Sequence, residues 1–143
     1  MTHQFWDSVF SSERSLKALE MIDAEIPQKS IQYSYSLLGE IKNKKLLEIG
    51  CGSGYQTIKF CLDGAHVTAI DISKESVEAT KALCEKSNIQ NVEVKQMAAE
   101  KLQFKDNTFD KIYINKVLLH TDKNKVIQEC LRCLKKDGII VFT

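Results

Sequence analysis

The stretch Leu46 to Gly54, L-L-E-I-G-C-G-S-G, constrains this chain more than any other segment. A short apolar run leads straight into three alternate glycines, and the pattern Y-Q-T-I-K-F-C-L-D-G that follows is helical. A strand that must turn at once into a helix needs residues without a Cβ, because the backbone bends tightly and lies close to whatever it faces. The first N–H groups of the helix then point outward with no partner inside the helix, ready for the polar end of a ligand.

The spacing is G-x-G-x-G. Three residues on from Gly52 stands Tyr55, so this is not the G-x-G-x-x-G of dinucleotide oxidoreductases. Downstream, apolar runs alternate with amphipathic stretches. K-L-L-E-I-G, H-V-T-A-I-D, N-V-E-V-K-Q-M, F-D-K-I-Y-I-N-K-V and I-I-V-F-T read as five strands. Helices are predicted over Y-Q-T-I-K-F-C-L-D-G, over K-E-S-V-E-A-T-K-A-L-C-E-K-S-N with Val77, Thr80, Leu83 and Cys84 inward, and over D-K-N-K-V-I-Q-E-C-L-R-C-L-K-K-D-G, closed by Gly138. Segment 98–108 is too short for a convincing helix. Strands and helices in this alternation make right-handed parallel crossovers, hence an α/β fold: an open parallel sheet with helices on both faces. Such sheets bind ligands at the carboxyl ends of their strands.

Upstream, Leu16, Leu19, Ile22 and Ile26 share one side of a helix that Pro27 ends, and Ile31, Tyr35, Leu38 and Ile41 mark a second. Residues 1–44 are therefore expected to form a helical cap lying across the sheet or over the cleft, with residues 45–143 as the ligand-binding domain. Phe5, Trp6, Tyr33 and Tyr35 belong to this cap, where aromatic residues are more often core than ligand cover.

Composition narrows the partners. Twenty basic residues against 19 acidic ones leave a net charge of +1, and the lysines are scattered, so no concentrated basic face points to nucleic acid. No run approaches the roughly 18 apolar residues of a membrane span, and the N-terminus has no signal-peptide pattern. A cytoplasmic location is expected. The five cysteines fit free thiols in a reducing compartment. Cys130 and Cys133 form a C-x-x-C, but they lie on an amphipathic helix with Ile127, Cys130, Leu131 and Leu134 expected on its inward face. No second pair completes a tetrahedral site, and no metal is assigned.

Asp71 closes the second predicted strand, 21 residues beyond Gly50. A carboxylate there can accept from both hydroxyls of a ribose lying across the strand ends. Its use as a helix cap is the plainer alternative, but Ser73 is better placed for that.

Taken in order, L-L-E-I-G-C-G-S-G, A-I-D-I-S, A-E-K-L-Q-F-K-D-N-T-F-D-K-I, V-L-L-H and L-K-K-D-G-I-I-V-F resemble the class I S-adenosylmethionine-dependent methyltransferases, in particular the small-molecule branch. The resemblance covers about residues 45 to 143. It implies a Rossmann-like methyltransferase sheet, S-adenosyl-L-methionine as cofactor, and methyl transfer to a small-molecule substrate. Gly50, Cys51, Gly52 and Gly54 match the loop against the methionine part and ribose, and Glu48 the acid that helps organise the amino end. Asp71 matches the ribose-binding acid and Ile72 the apolar cover of one adenine face. Ala98, Ala99 and Glu100 match the family's usual D-A-E, so the Asp that commonly accepts from the adenine amino group is Ala98 here. Losing one charge-assisted hydrogen bond costs about 1.5 to 3 kcal/mol, or roughly tenfold to a hundredfold in affinity. The Ala99 N–H remains to serve adenine. Asn115 matches the end of strand four, where the family meets the methionine amino group.

His120 matches a frequent family histidine, read as structural rather than catalytic, so no catalytic residue is assigned. Lys136-Asp137-Gly138 replaces the family's Pro-Gly-Gly, a turn variation. The N-P-P-Y motif of amino-methylating enzymes is absent from the stretch that begins at Asn115. A non-catalytic cofactor-binding or interaction module stays open as the alternative, with a nicotinamide-dependent oxidoreductase third.

The family sheet has seven strands, whereas these residues supply five and lack the strand 6/7 hairpin. Either the chain is a fragment of a longer methyltransferase, the preferred expectation, or a partner chain covers strand five, as in a homodimer through that edge.

Overall fold

A computed structural model describes residues 29–143. The expected helix over 12–26, Phe5 and Trp6 lie outside the described residues. The elements are α1 (Lys29–Leu37), β1 (Lys45–Ile49), α2 (Tyr55–Leu62), β2 (His66–Asp71), α3 (Lys74–Lys86), β3 (Val92–Gln96), β4 (Phe109–Ile114), a 3-10 turn (Leu118–His120), α4 (Lys123–Cys133) and β5 (Leu134–Phe142).

The five strands form one parallel sheet in the order β3-β2-β1-β4-β5. β1 takes the middle because it can be covered on both faces: Leu46, Leu47, Glu48 and Ile49 are all buried. The chain leaves β1 toward β2 and β3, then returns past it to β4 and β5. That reversal opens a crevice at the carboxyl ends of β1 and β4.

Strand alternation sorts the core into two layers. Leu46, Val67, Ala69 and Tyr113 share one with Leu38, Phe60, Cys61 and Val77 from the α1, α2 and α3 side. Leu47, Ile49, Ile70, Ile112 and Ile114 share the other with Val126, Cys130 and Cys133 of α4 and with Leu102 of the β3–β4 connection. Residues 98–108 contain no helix, as expected, and are held by Arg132. Its guanidinium donates to the carbonyls of Leu102 and Phe104 at 2.9 and 2.7 Å and pairs with Asp106 and Glu129.

α3 follows the sequence reading closely. Val77, Thr80, Leu83 and Cys84 are its buried residues, and the Ser73 hydroxyl caps it by accepting from the Ser76 N–H.

Two expectations are corrected, and one open alternative is decided. The helix expected to run to Ile41 stops at Leu37; Ile41 is buried from the turn that follows, so its apolar character reflects core packing rather than helical period. Of the two placements open for the cap, its second helix, α1, takes the one across the sheet, on the layer with Tyr113: Tyr35 stacks on Phe60 with ring centroids 5.1 Å apart, and Ser34 Oγ is 3.1 Å from the Tyr113 hydroxyl. Finally, α4 ends at Cys133, not Gly138, and β5 begins at once with Leu134. Leu134 pairs with Phe109 and Ile139 with Lys111, so residues 135–138 form a bulge opposite Asp110. Lys135 Nζ reaches Asp110 at 3.0 Å there. Gly138 serves this bulge, since a Cβ on it would sit 2.5 Å from Leu134 Cδ1. The inward face of α4 is consequently Val126, Cys130 and Cys133, while Leu131 is 60% exposed.

Candidate cofactor site

β1 delivers the glycine loop to the crevice. Gly50 has φ +85°, and a Cβ on it would meet Val117 Cγ2 at 2.4 Å and the Asn115 carbonyl oxygen at 2.9 Å. Only glycine lets the end of β1 lie this close to the segment leaving β4. Gly52 has φ +53° and nothing within 4 Å of its Cβ position, so its backbone faces open space. Gly54, at the N-cap of α2, is pressed to 3.0 Å from Thr80 of α3.

The Asp71 carboxylate braces this loop. The Gly52 N–H donates to Oδ2 at 3.0 Å and the Ser73 N–H to Oδ1 at 2.9 Å, which fixes the side chain at the tip of β2 while its remaining lone pairs stay available. Above these residues lies a cavity of about 470 Å³. Gly50, Gly52, Asp71, Ile72, Ala99 and Asn115, six of the residues that the family resemblance assigned to the cofactor, line it. Ile72 is 69% exposed, an apolar side chain with a free face.

Glu48, Cys51, Gly54 and Ala98 do not line the cavity. Glu48 lies one strand step beneath, fully buried, where the Thr57 hydroxyl donates to Oε2 and Oε1 has no partner among the described residues. Burial pushes its carboxyl up to about 8, the Thr57 hydrogen bond opposes this, and Asp71 adds to it. The Cys51 thiol turns toward Thr80 and is pushed by burial to about 12. Cys130 and Cys133 are buried and free, and burial raises the Cys130 thiol to about 12, so these are core thiols.

The cavity also takes in Met97, Glu100, Lys116, Val117, His120 and Thr121. Sequence reasoning missed Met97, although it directly follows β3, the position where ligands are met in such sheets. Lys116 and Thr121 lie in the β4–α4 connection, whose path no local pattern reveals.

The chain's residues fit a nucleoside-bearing cofactor such as S-adenosylmethionine. A braced carboxylate stands at the tip of β2, Gly52 leaves room for a ligand against its backbone, and apolar Ile72, Met97 and Ala99 offer surface for a planar base. A methyltransferase-domain family model matches residues 47–142. The chain belongs to that methyltransferase family. It is the S-adenosylmethionine-dependent class that the glycine loop and Asp71 pointed to.

This methyltransferase domain is 37% identical over 101 residues to a ubiquinone biosynthesis O-methyltransferase of Pelagibacter ubique, covering 70% of this chain and 41% of the relative. It is 31% identical over 145 aligned positions to the enzyme of the same name from Pseudomonas putida F1, covering 100% of this chain and 58% of the relative. The crystal structure of the YcgJ protein from Bacillus subtilis superimposes with a TM-score of 0.71 at 28% identity, covering 78% of this chain and 47% of that one. The chain thus spans about half the length of the relatives it matches.

Proposed function

We propose that this domain binds S-adenosylmethionine in the crevice at the ends of β1, β2 and β4 and takes part in methyl transfer to a small-molecule acceptor. The observation that carries the reading is the convergence of the Gly50–Gly52 loop, Asp71 and Asn115 on one cavity. In this assignment Asp71 accepts from the two ribose hydroxyls, Ile72 and Met97 pack against adenine, and the Ala99 N–H serves its edge. The loop backbone and Asn115 receive the methionine end. Glu48 supports the loop from beneath, and Cys51 and Gly54 shape it through Thr80. Ala98 leaves adenine without the family's carboxylate.

When bound, the cofactor supplies a methyl group already activated on a sulfonium. The protein's work is therefore to hold that group in line with the acceptor and to exclude water. His120, on the cavity wall, could take the acceptor's proton where that acceptor is a hydroxyl. The two O-methyltransferase relatives favour oxygen as the acceptor atom. Among the described residues no helix is long and apolar enough to cross a membrane.

Titration calorimetry of the chain with S-adenosylmethionine and S-adenosylhomocysteine tests the reading. Binding in the micromolar range is expected, and no heat at millimolar ligand would sink it. Transfer of labelled methyl across a panel of phenols, carboxylic acids and amines then separates an enzyme from a module that binds without transfer.

A further inference from the structure

Four non-glycine residues among those described have positive φ: Asn43, Asn88, Asn107 and Lys116. Three are asparagines, whose short amide tolerates the left-handed region. Lys116, at φ +53°, is the exception, and it is also the only one of the four on the cavity wall. A lysine in a conformation that glycine or asparagine adopts more easily is a backbone outlier at the cavity, and such outliers cluster at functional sites.

The surroundings hold it there. The Asn115 N–H donates to the Ile49 carbonyl at 3.0 Å, the Lys116 N–H to the Thr143 carbonyl at 3.3 Å, and the Thr143 hydroxyl is 3.1 Å from Asn115 Oδ1. Gly50, without a Cβ, lets Val117 and Asn115 close over it. The Lys116 side chain is exposed, and its ammonium forms no ion pair among the described residues. His120 lies on the same wall. Neither acid of the cavity pairs with Lys116: Asp71 receives two backbone N–H groups, and Glu100 faces the Asp122 N–H at 3.4 Å.

We propose that Lys116, which lines the cavity together with His120, selects an acceptor that carries an anionic oxygen group, a carboxylate or a phosphate. The proposal rests on the cofactor reading above for where the acceptor sits. An ammonium without an ion-pair partner at the cavity wall attracts such a group and disfavours a cationic acceptor. Lys116 is a specificity residue in this account.

Binding of benzoate, phenyl phosphate and the neutral isostere benzamide, measured by NMR titration on the 143-residue chain with and without S-adenosylhomocysteine, tests it. At least one anion is expected to bind about tenfold or more tightly than benzamide, and which one does so tells carboxylate from phosphate. Lys116→Gly removes the charge and suits the backbone. It should abolish the preference while its melting temperature stays equal to or above that of the parent and its affinity for S-adenosylhomocysteine stays within about twofold. Lys116→Arg should keep the preference. Equal binding of all three probes, or an undiminished preference in Lys116→Gly, would overturn the proposal, as would a marked loss of stability in that variant. Failure of S-adenosylhomocysteine to bind would count against the cofactor reading, whereas the anion preference is read separately on the free chain.

Discussion

The Thr57 hydroxyl donates to one carboxyl oxygen of Glu48, and the other oxygen of that fully buried side chain has no partner among the described residues. A carboxyl in this position is held largely as the neutral acid, with its titration pushed up to about 8 by burial. Between the unfolded value near 4.5 and about 8, the folded state binds the proton that the unfolded state has lost. Its stability contribution is therefore fully present below about pH 4.5 and is lost as pH rises toward 8, by on the order of a few kcal/mol. Glu48→Gln keeps the shape and cannot ionise. Urea unfolding at pH 5, 6, 7 and 8 should show stability falling with pH in the parent and a shallower slope in Glu48→Gln. Parallel slopes would mean that Glu48 is already ionised in the fold.

Asp71 is asked to meet two ribose hydroxyls, each a hydrogen bond to a charged acceptor. Removing the carboxylate in Asp71→Ala should weaken S-adenosylhomocysteine binding by about a hundredfold or more, at about 1.5 to 3 kcal/mol per bond. Asp71→Asn keeps one acceptor oxygen and should fall between. Calorimetry on variants whose circular dichroism matches the parent checks this, and an unchanged affinity would remove Asp71 from the site.

The sequence made the cofactor half legible where local chemistry and tertiary position agree. Glycines at 50 and 52 had to form a tight turn, and they line the cavity; Asp71 had to end a strand, and the helical period of Val77, Thr80, Leu83 and Cys84 matched the burial of α3 residue for residue. It failed where long-range pairing overrides local pattern. L-R-C-L-K-K-D-G continues a helical period, yet Leu134 is drawn into register with Phe109 and Lys135 onto Asp110, so the helix ends early and its apolar face rotates. Within the motif, the resemblance gave Glu48 to organising the amino end and Cys51 to the cofactor loop, yet neither lines the cavity. Strand alternation turns Glu48 to the layer shared by α2, and Cys51 faces Thr80. The loop wall formed by Lys116 and Thr121 carries no periodic signal at all.

Gly50 and Gly52 should separate stability from binding. Gly50→Ala places a Cβ 2.4 Å from Val117 Cγ2 at φ +85°, and the clash together with the left-handed strain should cost about 2 to 4 kcal/mol. Gly52→Ala meets no atom within 4 Å and carries only the strain, about 1 kcal/mol, but its methyl enters the space next to the cavity. Chemical denaturation should therefore find Gly50→Ala much the less stable. Gly52→Ala should stay folded and bind S-adenosylhomocysteine at least tenfold more weakly. The reverse ranking in either measurement would contradict the steric account.

Arg132 is the clasp on the helix-free connection between β3 and β4. Its guanidinium meets the carbonyls of Leu102 and Phe104 and the carboxylates of Asp106 and Glu129, while Glu129 in turn accepts from the Leu102 N–H at 2.7 Å. With no helix between residues 98 and 108 to satisfy that backbone locally, these bonds come from α4. Arg132→Ala should open the connection ahead of global unfolding. Amide exchange at Leu102 should quicken by about tenfold or more, with smaller changes at Leu47 and Ile112 in the core. Because Ala99 and Glu100 at the start of this segment line the cavity, S-adenosylhomocysteine should bind more weakly and should slow the exchange when added. Arg132→Lys keeps the charge but not the fork that reaches two carbonyls at once, so it should restore little of the protection. Full protection in Arg132→Lys would show that charge alone, and not the paired carbonyl bonds, holds the segment.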